Sequence, residues 1–210
     1  MWSKNFLYFI TQKNAPDGSV ILLHACAHNP TGIDPTLGQW AIIADVLKEK
    51  NHFPFFDFAY QGFATGNLDQ DASAIRLFVD RGFECLVAQS FSKNLGLYCE
   101  RLGCLCVVTN NANRVAPIKS QLERIVRAVF SNPPAHGSRV ASIIFNDQQL
   151  YKEWQDELRA MSHRLHAMRE GLYTALIENN TPGDWSHLQS QIGMFSFLGL
   201  SSKKSSSHFK

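Results

Sequence analysis

Apolar residues along this chain fall into two kinds of pattern. Over the first half they come in short, nearly unbroken runs: Ser19-Val20-Ile21-Leu22-Leu23-His24-Ala25, Phe53-Pro54-Phe55-Phe56, Cys85-Leu86-Val87-Ala88, and Arg101 through Val108. Runs of this length between turn residues predict strands, the first of them buried on both faces. Between them lie helical stretches. Asp34-Pro35-Thr36 opens one that continues to Lys48, with Pro35 suited to the first helical turn. Ala72–Arg81 predicts another, its apolar positions being Ala74, Ile75, Leu77 and Phe78. Strand and helix alternate, which predicts an α/β fold with a mostly parallel sheet and helices on its faces. Ile118–Val129 reads as a further helix. From Asn146 the period changes, and Leu150, Trp154, Leu158, Met161, Leu165, Met168, Leu172 and Leu176 recur at spacings of three and four. That is one long helix of about 30 residues and roughly 45 Å, capped by Asn146 or Asp147 and stopped at Asn180-Thr181-Pro182-Gly183, its methionines packed in a core. Ile192–Leu198 predicts a short strand, and the serine- and lysine-rich stretch from Ser201 to Lys210 predicts disorder.

The polar residues that follow the strands carry the candidate chemistry. In an open α/β sheet, ligands bind at the carboxyl ends of strands. The first strand runs into His24-Ala25-Cys26-Ala27-His28-Asn29-Pro30-Thr31-Gly32, where the proline forces Asn29 out of the helical region. The second delivers Asp57 and Tyr60, and the third delivers Ser90 and Lys93, with Arg101 beyond. Each has a plain structural reading: an Asn-Pro turn, a cap or loop acid, a solvated loop lysine. Each also has a chemical one. A lysine can hold a carbonyl cofactor as an imine, an arginine its phosphate, and a carboxylate a protonated ligand nitrogen. Three successive strand ends bearing these groups form a constellation rather than a set of unrelated turns.

Composition narrows the classes. The chain has 210 residues, 45 % of them hydrophobic, and a net charge of +2, which favours binding to neither nucleic acid nor a membrane surface. No apolar run approaches the roughly 20 residues of a bilayer-spanning helix. The cysteines at 26, 85, 99, 104 and 106 are odd in number and lack a paired metal-ligand spacing, so they read as reduced core thiols, with no metal site expected. The N-terminal stretch lacks a secretory cleavage pattern, and the first arginine is Arg76, unlike an arginine-rich mitochondrial presequence; a cytoplasmic address is expected.

His24–Gly32, Phe56–Gly62, Gln89–Arg101, Ser131–Arg139 and Gln191–Phe197, in that order, closely resemble aspartate aminotransferase, a class I pyridoxal-phosphate enzyme of fold type I. Phe55-Phe56-Asp57, Ser90-Phe91-Ser92-Lys93 and Thr181-Pro182-Gly183-Asp184-Trp185 look more like its cytosolic branch. The resemblance implies a PLP-dependent transaminase exchanging an amino group between L-aspartate and 2-oxoglutarate. Lys93 would bond the cofactor and move the proton between the substrate's α carbon and the cofactor's C4′. Asp57 would pair with the pyridine nitrogen, Asn29 and Tyr60 with the ring's phenolic oxygen, and Ser90 and Arg101 with the phosphate. His24 either supports the ring or is a satisfied core histidine. Arg139 matches the arginine that grips the distal carboxylate of a dicarboxylic amino acid or 2-oxo acid across a homodimer interface, which disfavours other fold-type I enzymes.

The resemblance covers about Asn14 to Leu200, roughly half of a complete family member. Residues 1–13 replace the family's N-terminal half, with its phosphate-binding turn, ring-stacking aromatic and dimer-clasping arm. The rest of the small domain and the α-carboxylate arginine are not found beyond Leu200. A truncated or alternatively spliced product, or an incomplete gene model, is therefore expected. Its parts would be a leader over 1–13, a portion of the large cofactor-binding domain over 14–145, a long helix with part of the small domain over 146–200, and a tail over 201–210. The alternative reading is a catalytically impaired fragment that binds cofactor weakly or pairs with a full-length subunit.

Overall fold

The structure, a computed structural model, describes residues 15–200, so the expectations for the leader and the tail lie outside the described residues. Strands β1 (Val20–His24), β2 (Phe53–Phe58), β3 (Cys85–Ser90) and β4 (Gly103–Val108) form one four-stranded sheet in that order. The first three are mutually parallel, joined by helical crossovers, and β4 runs antiparallel to β3. The reversal follows from the connection: residues 91–102 are turns without a helix to carry the chain back across the sheet.

Helix α1 (Leu37–Glu49) begins at Thr36, which forms a capping box with Gln39. Pro35 therefore lies before the cap rather than in the first turn, a shift of the expected start. Helices α2 (Leu68–Asp71) and α3 (Ser73–Asp80) make the second crossover. Trp40, Ile43 and Leu47 of α1 and Phe78 of α3 close over Ile21, Leu23, Phe56, Cys85 and Val87 of the sheet, all buried. The Phe56 and Phe78 rings meet edge to face at 5.1 Å. Each fully buried Phe, Ile or Leu contributes about 1.5–3 kcal/mol by leaving water.

That core lies on one face of the sheet. The expected burial of β1 on both faces does not hold, because Val20 and Leu22 are 63 % and 58 % exposed while Ile21 and Leu23 are buried. β1 is an edge strand, and no described element covers its second face.

After a 3-10 turn (Ala112–Arg114) come α4 (Val115–Val129), with no buried residue, α5 (His136–Asn146), and α6 (Gln148–Glu178) of 31 residues. Asp147 caps α6, accepting from the backbone N–H of Gln149 and Leu150 at 2.9 and 3.0 Å. The buried line of α6 is narrower than the apolar stripe and consists of Leu158, Ser162 and Arg169. Met161 and Met168 are 42 % and 60 % exposed, so their expected place in a core is corrected. Ser162 Oγ donates to Phe63 O and His166 Nε2 lies 3.1 Å from Ala64 O, so α6 seats along one line on the turn after β2.

The expected strand over Ile192–Leu198 is not formed. Its carbonyls are taken by a side chain instead of a ladder: the Arg169 guanidinium donates to the carbonyls of Gln191, Gly193 and Phe195 and to Ser196 Oγ. Gly193, at φ +83°, lies so close to Ala27 that a Cβ there would stand 2.5 Å from the alanine Cβ. Nor are all five thiols in the core: Cys26 and Cys85 are buried, whereas Cys99, Cys104 and Cys106 are exposed. Among the described residues no helix is long and apolar enough to cross a membrane.

Candidate functional site

Parallel register places the candidate groups side by side. His24 at the end of β1 is level with Asp57 of β2, which is level with Ala88 of β3, so their side chains share the face opposite the α1–α3 core. His24 Nδ1 accepts the Asn29 N–H at 3.3 Å, which leaves Nε2 as the protonated nitrogen, 4.0 Å from Asp57 Oδ2. The other oxygen, Asp57 Oδ1, accepts the Ala59 N–H at 3.1 Å. Asp57 is thus held by its own turn, with its side chain 40 % exposed rather than entombed.

Tyr60 is the hub. Its hydroxyl accepts from Asn29 Nδ2 at 3.3 Å, which leaves its own proton free to be donated. The ammonium of Lys93 lies over its ring, 4.8 Å from the centroid, and Phe195 packs edge-on against it at 5.5 Å. Strands 1, 2 and 3 therefore contribute Asn29, Tyr60 and Lys93 to one cluster. Ser90 Oγ accepts the Ser92 N–H at 3.2 Å and so pins the turn carrying Lys93 while keeping its O–H available.

Arg101 reaches the same end of the β3–β4 pair, since Ser90 is level with Gly103 and Phe91 N–H donates to Leu102 O. Its backbone is left-handed, φ +52°, and its guanidinium donates to Tyr98 O at 3.0 Å. Arg139 is set apart. It lies exposed in the first turn of α5, and among the described residues it has no ion pair.

Several residues that position this cluster escaped the sequence reading. Asp34 accepts the backbone N–H groups of Ala27 and His28 at 2.6 and 2.9 Å and clamps the turn that presents Asn29. Asp71 accepts those of Gly62, Ala64 and Thr65, clamping the turn after Tyr60. Burial raises the pKa of both carboxyls against the lowering by these hydrogen bonds. Burial, with Asp71, Asp34 and Asp57 nearby, pushes the Cys26 thiol well up. Burial and then the adjoining His24 ring, 4.5 Å away, lower His28 to about 4. Trp154 of α6 donates its indole N–H to Asn94 O at 2.7 Å, fixing the Lys93 turn from the other side. The only sequence signal for Asp34 and Asp71 was an acid beside a turn, which is commonplace.

Behind the Lys93 turn, a cavity of about 400 Å³ lies between Lys93–Gly96 and Ile144, Leu150, Trp154 and Met161. Another, of about 460 Å³, opens at the amino ends of β2 and β3, lined by His52 and Arg81 among others, and is separate from this cluster.

Comparison with known proteins bears on the family and the fold. The chain is 55 % identical over 194 residues to the chloroplastic aspartate aminotransferase of Arabidopsis thaliana, covering 92 % of this chain and 43 % of that protein. It is 51 % identical over 189 residues to the cytoplasmic aspartate aminotransferase of Oryza sativa subsp. japonica, covering 90 % and 46 %. Among solved structures, aspartate aminotransferase from Trypanosoma cruzi superposes with a TM-score of 0.92 at 51 % identity, covering 98 % of this chain and 52 % of that one. The chain thus spans about half the length of the relatives it matches, and its incomplete, mostly parallel sheet is part of their fold. With the sequence profile for aminotransferase class I and II matching residues 10–210, the chain belongs to that family.

Proposed function

We propose that this chain is the lysine-bearing part of a pyridoxal-phosphate-dependent aminotransferase of the aspartate type, acting on L-aspartate and 2-oxoglutarate to give oxaloacetate and L-glutamate. The observation that supports it most is the convergence of Lys93, Tyr60 and Asn29 beside Asp57 at three adjacent strand ends. The donor set fits the cofactor: an amine for its aldehyde, a carboxylate for its pyridine nitrogen, a phenol and an amide for its phenolic oxygen, and a hydroxyl with a guanidinium for its phosphate. When bound, the cofactor supplies a carbonyl to take up the amino group and an electron-withdrawing ring.

The chain's own residues do the rest. Asp57, backed by His24, keeps a proton on the pyridine nitrogen. Tyr60, oriented by Asn29, donates to the phenolic oxygen. Lys93, as a free amine beside the reacting carbon, would take the proton from the substrate's α carbon and return it at the cofactor's C4′. Ser90 and Arg101 anchor the phosphate. For this Arg101 must turn from the Tyr98 carbonyl, exchanging a single hydrogen bond of 3.0 Å to a neutral acceptor for an ion pair with an anion.

The exposed position of Arg139 fits a role outside its own site, gripping the distal carboxylate in the partner of a homodimer, with a planar fork suited to that group. The cytoplasmic address belongs to the same proposal and rests on the cytosolic wording of the motifs.

One observation favours the second reading, a chain that binds cofactor weakly or pairs with a full-length subunit. Helix α4 buries no residue, and its Val115, Ile125 and Val129 are 54–71 % exposed. Aspartate-dependent turnover of 2-oxoglutarate by the purified chain alone, and its co-purification with a tagged full-length relative, separate the two. Turnover by the chain alone supports the first, co-purification without turnover of its own supports the second, and the absence of both results overturns both readings.

A further inference from the structure

Cys104 and Cys106 occupy alternate positions of the edge strand β4, so their side chains stand on the same face, opposite Gln89 and Val87 of β3. Both thiols are exposed, and their sulfurs lean together to 3.9 Å. Two cysteines this close have two chemical uses, and distance decides between them. A disulfide needs the sulfurs at about 2.0 Å and Cα atoms no more than about 6.8 Å apart. Alternate residues of an antiparallel strand are separated by about 6.4–6.8 Å, at the upper end of that range, and their side chains stand parallel, which holds the Cβ atoms wider than the about 3.5–4.5 Å a disulfide needs. Two thiolates on a tetrahedral ion, with metal–sulfur bonds of about 2.3 Å, are separated by about 3.8 Å, the edge of the tetrahedron. The observed 3.9 Å, an ordinary contact between two thiols, lets both sulfurs reach one ion without movement of the strand.

We propose that Cys104 and Cys106 form a two-thiolate site for a thiophilic d10 cation such as Zn²⁺, separate from the Lys93 cluster and independent of transamination. Binding replaces two thiol protons with one cation and involves no change of oxidation state. Soft sulfur donors select ions of this kind over Mg²⁺ or Ca²⁺. Among the described residues no group of three or more His, Cys, Asp or Glu is placed to hold a metal, so water or another outside ligand completes the coordination. The other thiols do not compete as a pair: Cys26 and Cys85 are buried, and Cys99 is exposed in the preceding turn.

The test uses the reduced, metal-free 210-residue chain and Cd²⁺ as the probe. One equivalent of Cd²⁺ should develop the ultraviolet thiolate-to-metal band, unaffected by millimolar Mg²⁺. Loss of a ligand should cost at least the about 10–100-fold typical of losing a supporting partner, so Cys104→Ser and Cys106→Ser should each bind at least tenfold more weakly, with Cys99→Ser like the parent. No band at one equivalent, or either ligand variant binding like the parent, overturns the proposal. A second measurement needs no variant: Cd²⁺ should shield Cys104 and Cys106 together from iodoacetamide while Cys99 continues to react. Equal alkylation of all three with and without Cd²⁺ overturns it as well.

Discussion

Gly62 ties the Tyr60 turn to the long helix and offers the sharpest stability test. Its φ is +93°, and a Cβ built there would meet the buried Leu158 side chain, 2.2 Å from Cδ2 and 2.7 Å from Cγ. Gly62→Ala therefore carries two costs: about 1–2 kcal/mol for an L-residue in left-handed backbone and about 1–3 kcal/mol for overpacking, together about 2–5 kcal/mol. Leu158→Ala alone opens a cavity at a site 1 % exposed and costs about 2–5 kcal/mol. In the double variant the new methyl enters the space vacated by Leu158, so the clash is relieved and the backbone cost remains. The double should thus be about 1–3 kcal/mol more stable than the sum of the singles. Urea denaturation followed by circular dichroism gives all three differences, measured on a protein whose total stability is of the order of 5–15 kcal/mol. Additivity to within about 0.5 kcal/mol would show that Gly62 and Leu158 do not meet, and the seating of the Tyr60 turn on α6 would be wrong.

Arg169→Met leaves three carbonyls of the 191–195 segment without their donor, and a buried acceptor left unsatisfied costs about 1–3 kcal/mol. Hydrogen exchange should show residues 191–197 losing protection while β1–β3 keep theirs; unchanged protection refutes the clasp. His28, lowered to about 4 from 6.5, makes the folded chain bind fewer protons than the unfolded one between those values. The stability it contributes is present above pH 6.5 and is lost as the pH falls towards 4. Asp34 and Asp71, raised by burial, act in the opposite sense, their contribution being lost as the pH rises through their folded values. NMR titration of the His28 ring should give a midpoint near 4, and one near 6.5 refutes its partial desolvation beside His24; His28→Asn should flatten the acid limb. Thr36→Ala removes the α1 cap and should cost about 1 kcal/mol in thermal unfolding; no shift would mean that the capping box contributes nothing.

The strands and most helices could be read from the sequence because each carries its own local signal. Val20–His24, Phe53–Phe58 and Cys85–Ser90 are apolar runs bounded by turns, and Asp147 is a cap before a periodic stretch. The cluster was legible for the same reason, since strand ends gather wherever the strands are parallel. Misread features depend on what lies beside an element. The pattern of β1 gives no indication that it is an edge strand with Val20 and Leu22 exposed. The methionines of α6 match a core stripe in spacing, but only the line through Leu158, Ser162 and Arg169 meets another element. Ile192–Leu198 has strand composition, yet Arg169, more than twenty residues earlier, takes the carbonyls a ladder would have used. Asp34 and Asp71 are similar: their partners are backbone N–H groups, which leave no mark in the sequence.

In the proposed function Lys93 bonds a pyridoxal-phosphate aldehyde within the Tyr60–Asn29–Asp57 cluster. Incubating the chain with pyridoxal phosphate, reducing with borohydride and mapping the adduct by peptide mass spectrometry tests it directly. Labelling should concentrate on Lys93, be weakened by Asp57→Ala and be abolished at that position by Lys93→Ala. No adduct on Lys93, or labelling spread evenly over the chain's exposed lysines, would contradict it.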